Sequence, residues 1–161
     1  MSRIGLGFRL VAFFAFCSPL LGLAQQPATT PPGPVPQAIL AAKKIFLSNS
    51  GASNLLYGGG PNRAYNQFYA ALQASGFFEM AGDPSDADLV LDLQIYDSGP
   101  GSATFRLHIY DRKTHFLLWT LLEPITFCNR QKTCDSNFDE ALPVLLLNFE
   151  KLAGKSPGAA R

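Results

Sequence analysis

The stretch LVLDLQIYDSGPGSATFRLHIYDRKTHFLLWTLLEPI, Leu89 to Ile125, decides the fold. In its first part Leu89, Leu91, Leu93 and Ile95 alternate with Val90, Asp92, Gln94 and Tyr96. In its second, Phe105, Leu107 and Ile109 alternate with Thr104, Arg106, His108 and Tyr110. Side chains along a strand point to opposite faces in turn, so this period of two gives strands with one buried face. DSGPGSA between them has the glycine and proline content of a hairpin loop. A loop centred on Pro100 sets Leu93 opposite Leu107 and Asp92 opposite His108.

The polar run Asp111-Arg112-Lys113-Thr114-His115 then reads as a turn, not a catalytic site. Asp and Thr side chains bond local backbone, and His115 falls at the left-handed position where glycine is preferred. A loop of two or of four residues leads into a third strand, FLLWTLLEPI, ended by Pro124. Either length places Leu118 on the inner face and Trp119 on the outer face. Trp119 then stands opposite Arg106 for the shorter loop and His108 for the longer. The outer face of strands 89–96, 104–110 and 116–122 therefore presents Tyr96, Arg106, His108, Tyr110, Leu117, Trp119 and Leu121.

Upstream, Ile45 to Ser48 form a short apolar strand. YNQFYAALQASG is a helix, with Tyr65, Phe68, Tyr69 and Leu72 on one face and Gly76 as its left-handed stop. FFEMA is a brief strand and GDPSDAD a turn cluster. The run Gly58-Gly59-Gly60 is a flexible connection, since no Gly-Lys-Ser/Thr follows it and no dinucleotide fingerprint fits. Downstream, NFDEALPVLLLNFEKLAG is a second helix with Phe138, Leu142, Leu145, Leu146, Phe149 and Leu152 as its stripe. Asn137 and Glu140 resemble a capping box, and Pro143 marks either the start of that helix or a bend. Two amphipathic helices need one apolar sheet face. The fold class is α+β: a two-layer sandwich whose mostly antiparallel sheet, the meander 89–124, carries both helices on one face.

The amino terminus reads as a secretory signal over residues 1–24: a basic start with Arg3 and Arg9, the apolar LVAFFAF, a break at Pro19 and small residues Gly22 to Ala24. An uncleaved anchor is disfavoured, because the uninterrupted apolar run falls short of the ~20 residues a span needs. Lipidation of Cys17 is disfavoured by the bulky Phe16 before it. Removing 24 of 161 residues leaves 137, enough for one core, with 11 basic against 12 acidic residues. That near-neutral balance does not suggest nucleic acid, and no second run is long enough to span a bilayer. Residues 25–37 are a proline-rich tether, 38–153 the folded domain and 154–161 a frayed tail. Cys128 and Cys134 are expected to bridge in an oxidising compartment. NRQKT between them holds no His, Asp or Glu to complete a metal site.

ADLVLDLQI followed by LHIYDRKTHFLLWT resembles the core of small uncharacterised bacterial envelope proteins, many of them lipoproteins. These carry Ala-Asp-Leu-Val before a strand, then Asp-x-x-Thr-Gly before a strand ending in Trp. His115 stands where that pattern has Gly. More distantly the chain is similar to the amino-terminal domain of TolB. The resemblance spans roughly Lys44 to Leu152. It implies an envelope domain acting through protein contacts and carries over no catalytic residue.

Catalysis is not indicated. No Gly-x-Ser-x-Gly elbow is present, and Asp92 with His108 is the polar cross-strand pair of a solvent face. No cofactor and no metal are implied. The expected role is a non-catalytic protein-interaction module of the cell envelope, periplasmic or secreted, with an envelope protein as partner. A carrier of a small apolar ligand and a structural homo-oligomer subunit are the alternatives. On the first reading, Trp119→Ala is expected to abolish partner recovery and leave the domain folded.

Overall fold

Two strand pairings that lie far apart in sequence build the sheet around the meander. The computed structural model describes residues 33–52, 57–99 and 102–155. The signal segment 1–24, most of the tether, the loop centre at Pro100 and the end of the tail lie outside these residues. The folded body belongs to the compact unit Pro34–Arg161. Its elements are α1 (Gln37–Ala41), β1 (Lys44–Ala52), α2 (Arg63–Ser75), β2 (Glu79–Met80), β3 (Leu89–Gly99), β4 (Ser102–Asp111), β5 (Leu117–Ile125) and α3 (Gln131–Leu152). The sheet order is β2-β1-β3-β4-β5. The meander β3-β4-β5 is antiparallel, as its spacing predicts, while β1 runs parallel to both β2 and β3. That parallel half is invisible to a local pattern, because it depends on the crossover through α2.

One sheet face is sealed by helices. Leu89, Leu91, Phe105, Leu107 and Ile109 from the sheet meet Phe68 and Leu72 of α2 and Phe138, Leu145 and Phe149 of α3, all of them fully buried. The rings interlock: Phe105 meets Phe138 edge-on at 4.9 Å, and Phe78 stacks on Phe149 at 5.2 Å. Edge-on and offset arrangements suit the quadrupoles of aromatic rings. Gly76 ends α2 at φ 67°, the left-handed stop that its sequence position predicts.

The helix α3 begins earlier than its apolar stripe suggests. It starts at Gln131, so Asn137 and Glu140 lie inside it and form no capping box. Asn137 instead donates from its amide to the carbonyls of Thr126 and Phe127, at 3.0 and 3.4 Å, holding the preceding strand's exit. Glu140 accepts from the Ser136 hydroxyl one turn back. Pro143 also sits within the helix, exposed. Its missing N–H leaves the Asp139 carbonyl without its helical donor. The Cys128–Cys134 disulfide joins the approach to α3 to its first turns, with both residues buried. Pro124 does not end β5, which runs on to Ile125. An edge strand tolerates a residue without an N–H.

At the sheet end where β3 starts, Asp88 organises three segments. Its carboxylate accepts the backbone N–H groups of Lys43 and Lys44, both at 2.9 Å, and its own N–H donates to the Lys44 carbonyl. The Asp88 carbonyl accepts from the N–H of Arg112, and the Ala87 carbonyl from the Arg112 Nε. The Lys43 and Lys44 N–H groups hold the Asp88 carboxyl below the usual carboxylate range. A lowered folded pKa gives stability that is full above the unfolded value and is lost as pH falls through the folded one. Asp88→Ala is therefore expected to cost about 1 kcal/mol near neutral pH, a figure discounted for the residue's exposure. Thermal unfolding measured across pH checks this. The gap between variant and parent should close below about pH 4, and a gap independent of pH would refute the assignment.

Candidate functional site

The sequence assigns a candidate surface to the sheet face away from the helices, and the register decides which side chains reach it. Within β3 and β4 the expected pairing holds, with Leu93 opposite Leu107, Asp92 opposite His108 and Gln94 opposite Arg106. The turn after β4 is also built as its residues predict. Asp111 and Phe116 close a four-residue loop through the bond from the Asp111 N–H to the Phe116 carbonyl. The Asp111 carboxylate accepts from the N–H groups of Lys113 and Thr114, at 2.7 and 2.8 Å, and His115 takes φ 59°.

Beyond that turn the expectation fails at a single residue. Tyr110 pairs with Leu117, but Ile109 pairs with Trp119, so Leu118 is an extra residue, a β-bulge. One extra residue carries the next side chain to the opposite face. Trp119 stands opposite buried Ile109, and Leu121 opposite buried Leu107. Directly opposed residues share a face. Trp119 and Leu121 therefore belong to the helix-covered side, where both are half-buried and pack against the core. Trp119 faces neither Arg106 nor His108. The guanidinium of Arg106 lies 4.5 Å from the Tyr96 ring centroid instead of over an indole.

The outer face brings together Tyr96, Arg106, His108, Tyr110 and Leu117 from the predicted set, and the bulge adds Thr120 and Leu122. It is organised in rows across the strands. Phe46, Val90, Tyr110 and Leu117 make an apolar row, and Ser48, Asp92, His108 and Thr120 a polar one. Within the polar row the His108 Nδ1 lies 3.0 Å from the Thr120 hydroxyl, and the Ser50 hydroxyl donates to Asp92. The next row sets Gln94 and Arg106 beside Leu122. Tyr96, Leu117 and Leu122 are 48%, 49% and 58% exposed. Among the described residues no three His, Cys, Asp or Glu side chains gather as a metal site. No described helix is long and apolar enough to cross a membrane.

A second constellation escaped the sequence reading. Arg63, at the start of α2, binds Asp135 and, at 2.7 Å, Asp139 of α3, with its guanidinium 4.3 Å from the Phe138 ring centroid. Asp135 also accepts from Gln131 and from the Gly58 N–H at 2.8 Å. The Gln131 amide, the Arg63 guanidinium and that N–H together hold its carboxyl below the usual range. The glycine run is thus pinned rather than free. A Cβ on Gly59, at φ 86°, would come within 2.9 Å of Arg63. Residues 72 positions apart carry no local signal of such pairing, and the cluster fastens the helices to each other.

No family model matches the sequence, and no curated protein matches it. Solved structures are similar to it to different degrees. The hypothetical protein CT253 from Chlamydia trachomatis is 10% identical, with 71% of this chain and 99% of that one covered at a TM-score of 0.50. The PelC dodecamer from Paraburkholderia phytofirmans is 14% identical over 66% of this chain and 86% of that one, TM-score 0.46. TolB from Acinetobacter baumannii is 17% identical over 66% of this chain and 29% of that one, TM-score 0.37.

The bulge separates two residues that the sequence pattern treats alternately. Trp119→Ala should destabilise the domain by about 2–3 kcal/mol, since it empties a half-buried site beside Ile109. Leu122→Ala, on the open face, should shift stability by no more than about 0.5 kcal/mol. Denaturant unfolding of both variants checks the register, and equal effects would contradict it.

Proposed function

We propose that the domain is a non-catalytic protein-interaction module of the bacterial cell envelope. In this reading residues 1–24 direct export, and the proline-rich residues between them and the compact unit that begins at Pro34 tether the folded body. The Cys128–Cys134 bridge fits an oxidising compartment. One observation carries the proposal. The face opposite the helices presents the stacked Arg106–Tyr96 pair beside exposed Leu122, with exposed Leu117 at the far end of β5. Arg and Tyr dominate interface hot spots, and a guanidinium already held on a ring loses little freedom on binding.

The polar row argues for contact rather than chemistry. His108 lies against the Thr120 hydroxyl and Asp92 against the Ser50 hydroxyl, but among the described residues no acid bonds the His108 ring to orient it, so hydroxyl, base and acid do not form one chain. The space between sheet and helices is filled by phenylalanine, leucine and isoleucine side chains, which weighs against a carrier of apolar ligands. Two surface clefts lie instead at the sheet end, lined by residues of the turns.

Photo-crosslinking in cells tests the face directly. A photoreactive residue in place of Leu122, in the tagged and exported chain, is expected to capture one envelope protein reproducibly. Arg106→Glu should lower affinity for that partner by roughly thirty-fold, the equivalent of one hot-spot side chain, with unchanged thermal stability. Capture of only further copies of the chain would favour the homo-oligomer. Undiminished capture by Arg106→Glu would reject this face.

A further inference from the structure

Among the described residues, the arginines in half-buried positions differ in what they meet. Arg63 is held by two carboxylates, and Arg106 lies on Tyr96. Arg112 has neither. Its Nε donates to the Ala87 carbonyl at 3.2 Å, and among the described residues neither Nη1 nor Nη2 meets a protein acceptor. A guanidinium carries five donors in a planar fork and favours bidentate contact with phosphate or carboxylate. A half-buried one fixed by a single bond leaves most of that capacity unused.

Arg112 lines a cleft of about 510 Å³ together with Lys113, His115, Val90, Pro84, Ser85 and Asp83. Neither Lys113 nor His115 forms an ion pair among the described residues. The acid on the wall, Asp83, is engaged by Ser85, whose hydroxyl and N–H, the latter at 2.7 Å, keep its carboxyl below the usual range. Asp88 and Asp111 lie near Lys113 across a second, smaller cleft, and each already accepts two backbone N–H groups. His115 is the one non-glycine residue at positive φ among the described residues. Glycine would take that conformation without the strain that a side chain brings. The imidazole kept there borders the cleft.

We propose that this cleft binds a phosphate monoester with a short apolar body. The Arg112 fork grips the phosphate, Lys113 complements its charge, His115 offers a ring N–H, and Val90 and Pro84 contact the apolar part. Two sources offer this chemistry, a free phosphorylated small molecule and the headgroup of an anionic lipid.

The test is calorimetric titration of the full exported protein with butyl phosphate, paired with co-sedimentation on vesicles of phosphatidic acid and phosphatidylcholine. Butyl phosphate is expected to bind in the millimolar range or tighter. Arg112→Gln should weaken binding about tenfold. His115→Gly should weaken it several-fold while leaving the melting temperature equal or higher, since glycine suits the turn. A purely structural role for His115 would raise stability and leave binding untouched. Co-sedimentation that Arg112→Gln abolishes identifies a lipid headgroup, and butyl phosphate binding without co-sedimentation identifies a soluble ligand. Absence of both, or binding indifferent to both substitutions, overturns the proposal.

Discussion

Two carboxylates at one end of the sheet hold together the parts on which everything else depends. Asp88 joins the start of β3 to the start of β1 through the Lys43 and Lys44 N–H groups. Asp111, directly opposite Leu89, folds the next turn onto itself. The parallel pairing of β1 with β3 gains no help from a short connecting turn. It must be fixed by contacts between distant residues, and charge-assisted bonds to backbone N–H groups are strong and directional. With that end secured, the alternation in β3 and β4 directs every large aliphatic side chain but Val90 to the helices. The sequence pattern of Ala-Asp before a strand and Asp-x-x-Thr before another marks these two fastenings.

Much of the architecture was legible because it rests on local periodicity. The strands of the meander, the apolar stripes of α2 and α3, the left-handed positions at Gly76 and His115, and the Asp92–His108 register each come from a few neighbouring residues. What the sequence did not show has a different physical origin. The parallel β1 pairing and the Arg63–Asp135–Asp139 cluster join residues far apart in the chain. The early start of α3 depends on the disulfide and on polar residues that leave no apolar stripe. The short helix α1 packs Ile39 into the core directly after a stretch whose prolines suggested a spacer.

The candidate surface shows how one residue redirects a functional reading. Its polar and aromatic members on β3 and β4 stay where alternation put them. Its members on β5 depend on the count of residues after the turn, and Leu118 adds one. Trp119 consequently changes from a solvent-facing anchor to a half-buried residue packed against the core, and Leu122 takes its place. A bulge at Leu118 has no side-chain signature: Leu117, Leu118, Leu121 and Leu122 fit either face, and the pattern is silent wherever both alternatives are apolar. An edge strand also benefits from such irregularity, because a bulge and Pro124 both discourage pairing with another chain. The constraint that confused the reading thus serves the fold.

The two surfaces that remain are chemically distinct. The outer sheet face engages part of its polar groups within itself: Thr120 meets His108, Ser50 bonds Asp92, and Arg106 stacks on the Tyr96 ring. A partner that covers this face must meet the Arg106 donors and the Asp92 charge, which a surface of complementary polarity can do. The turn cleft differs. Its acid, Asp83, bonds Ser85, and Lys113 lies near Asp88 and Asp111, whereas Arg112 and His115 form no ion pair among the described residues. Desolvating it without an anion would leave cationic groups unpaired, so a neutral protein surface is a poor occupant and a small anion a good one. The two surfaces also meet, because Val90 belongs to the apolar row of the face and to the wall of the cleft. Occupancy of the cleft therefore alters the charge beside one edge of the face. A partner whose contact reached Val90 would sense an anion bound there.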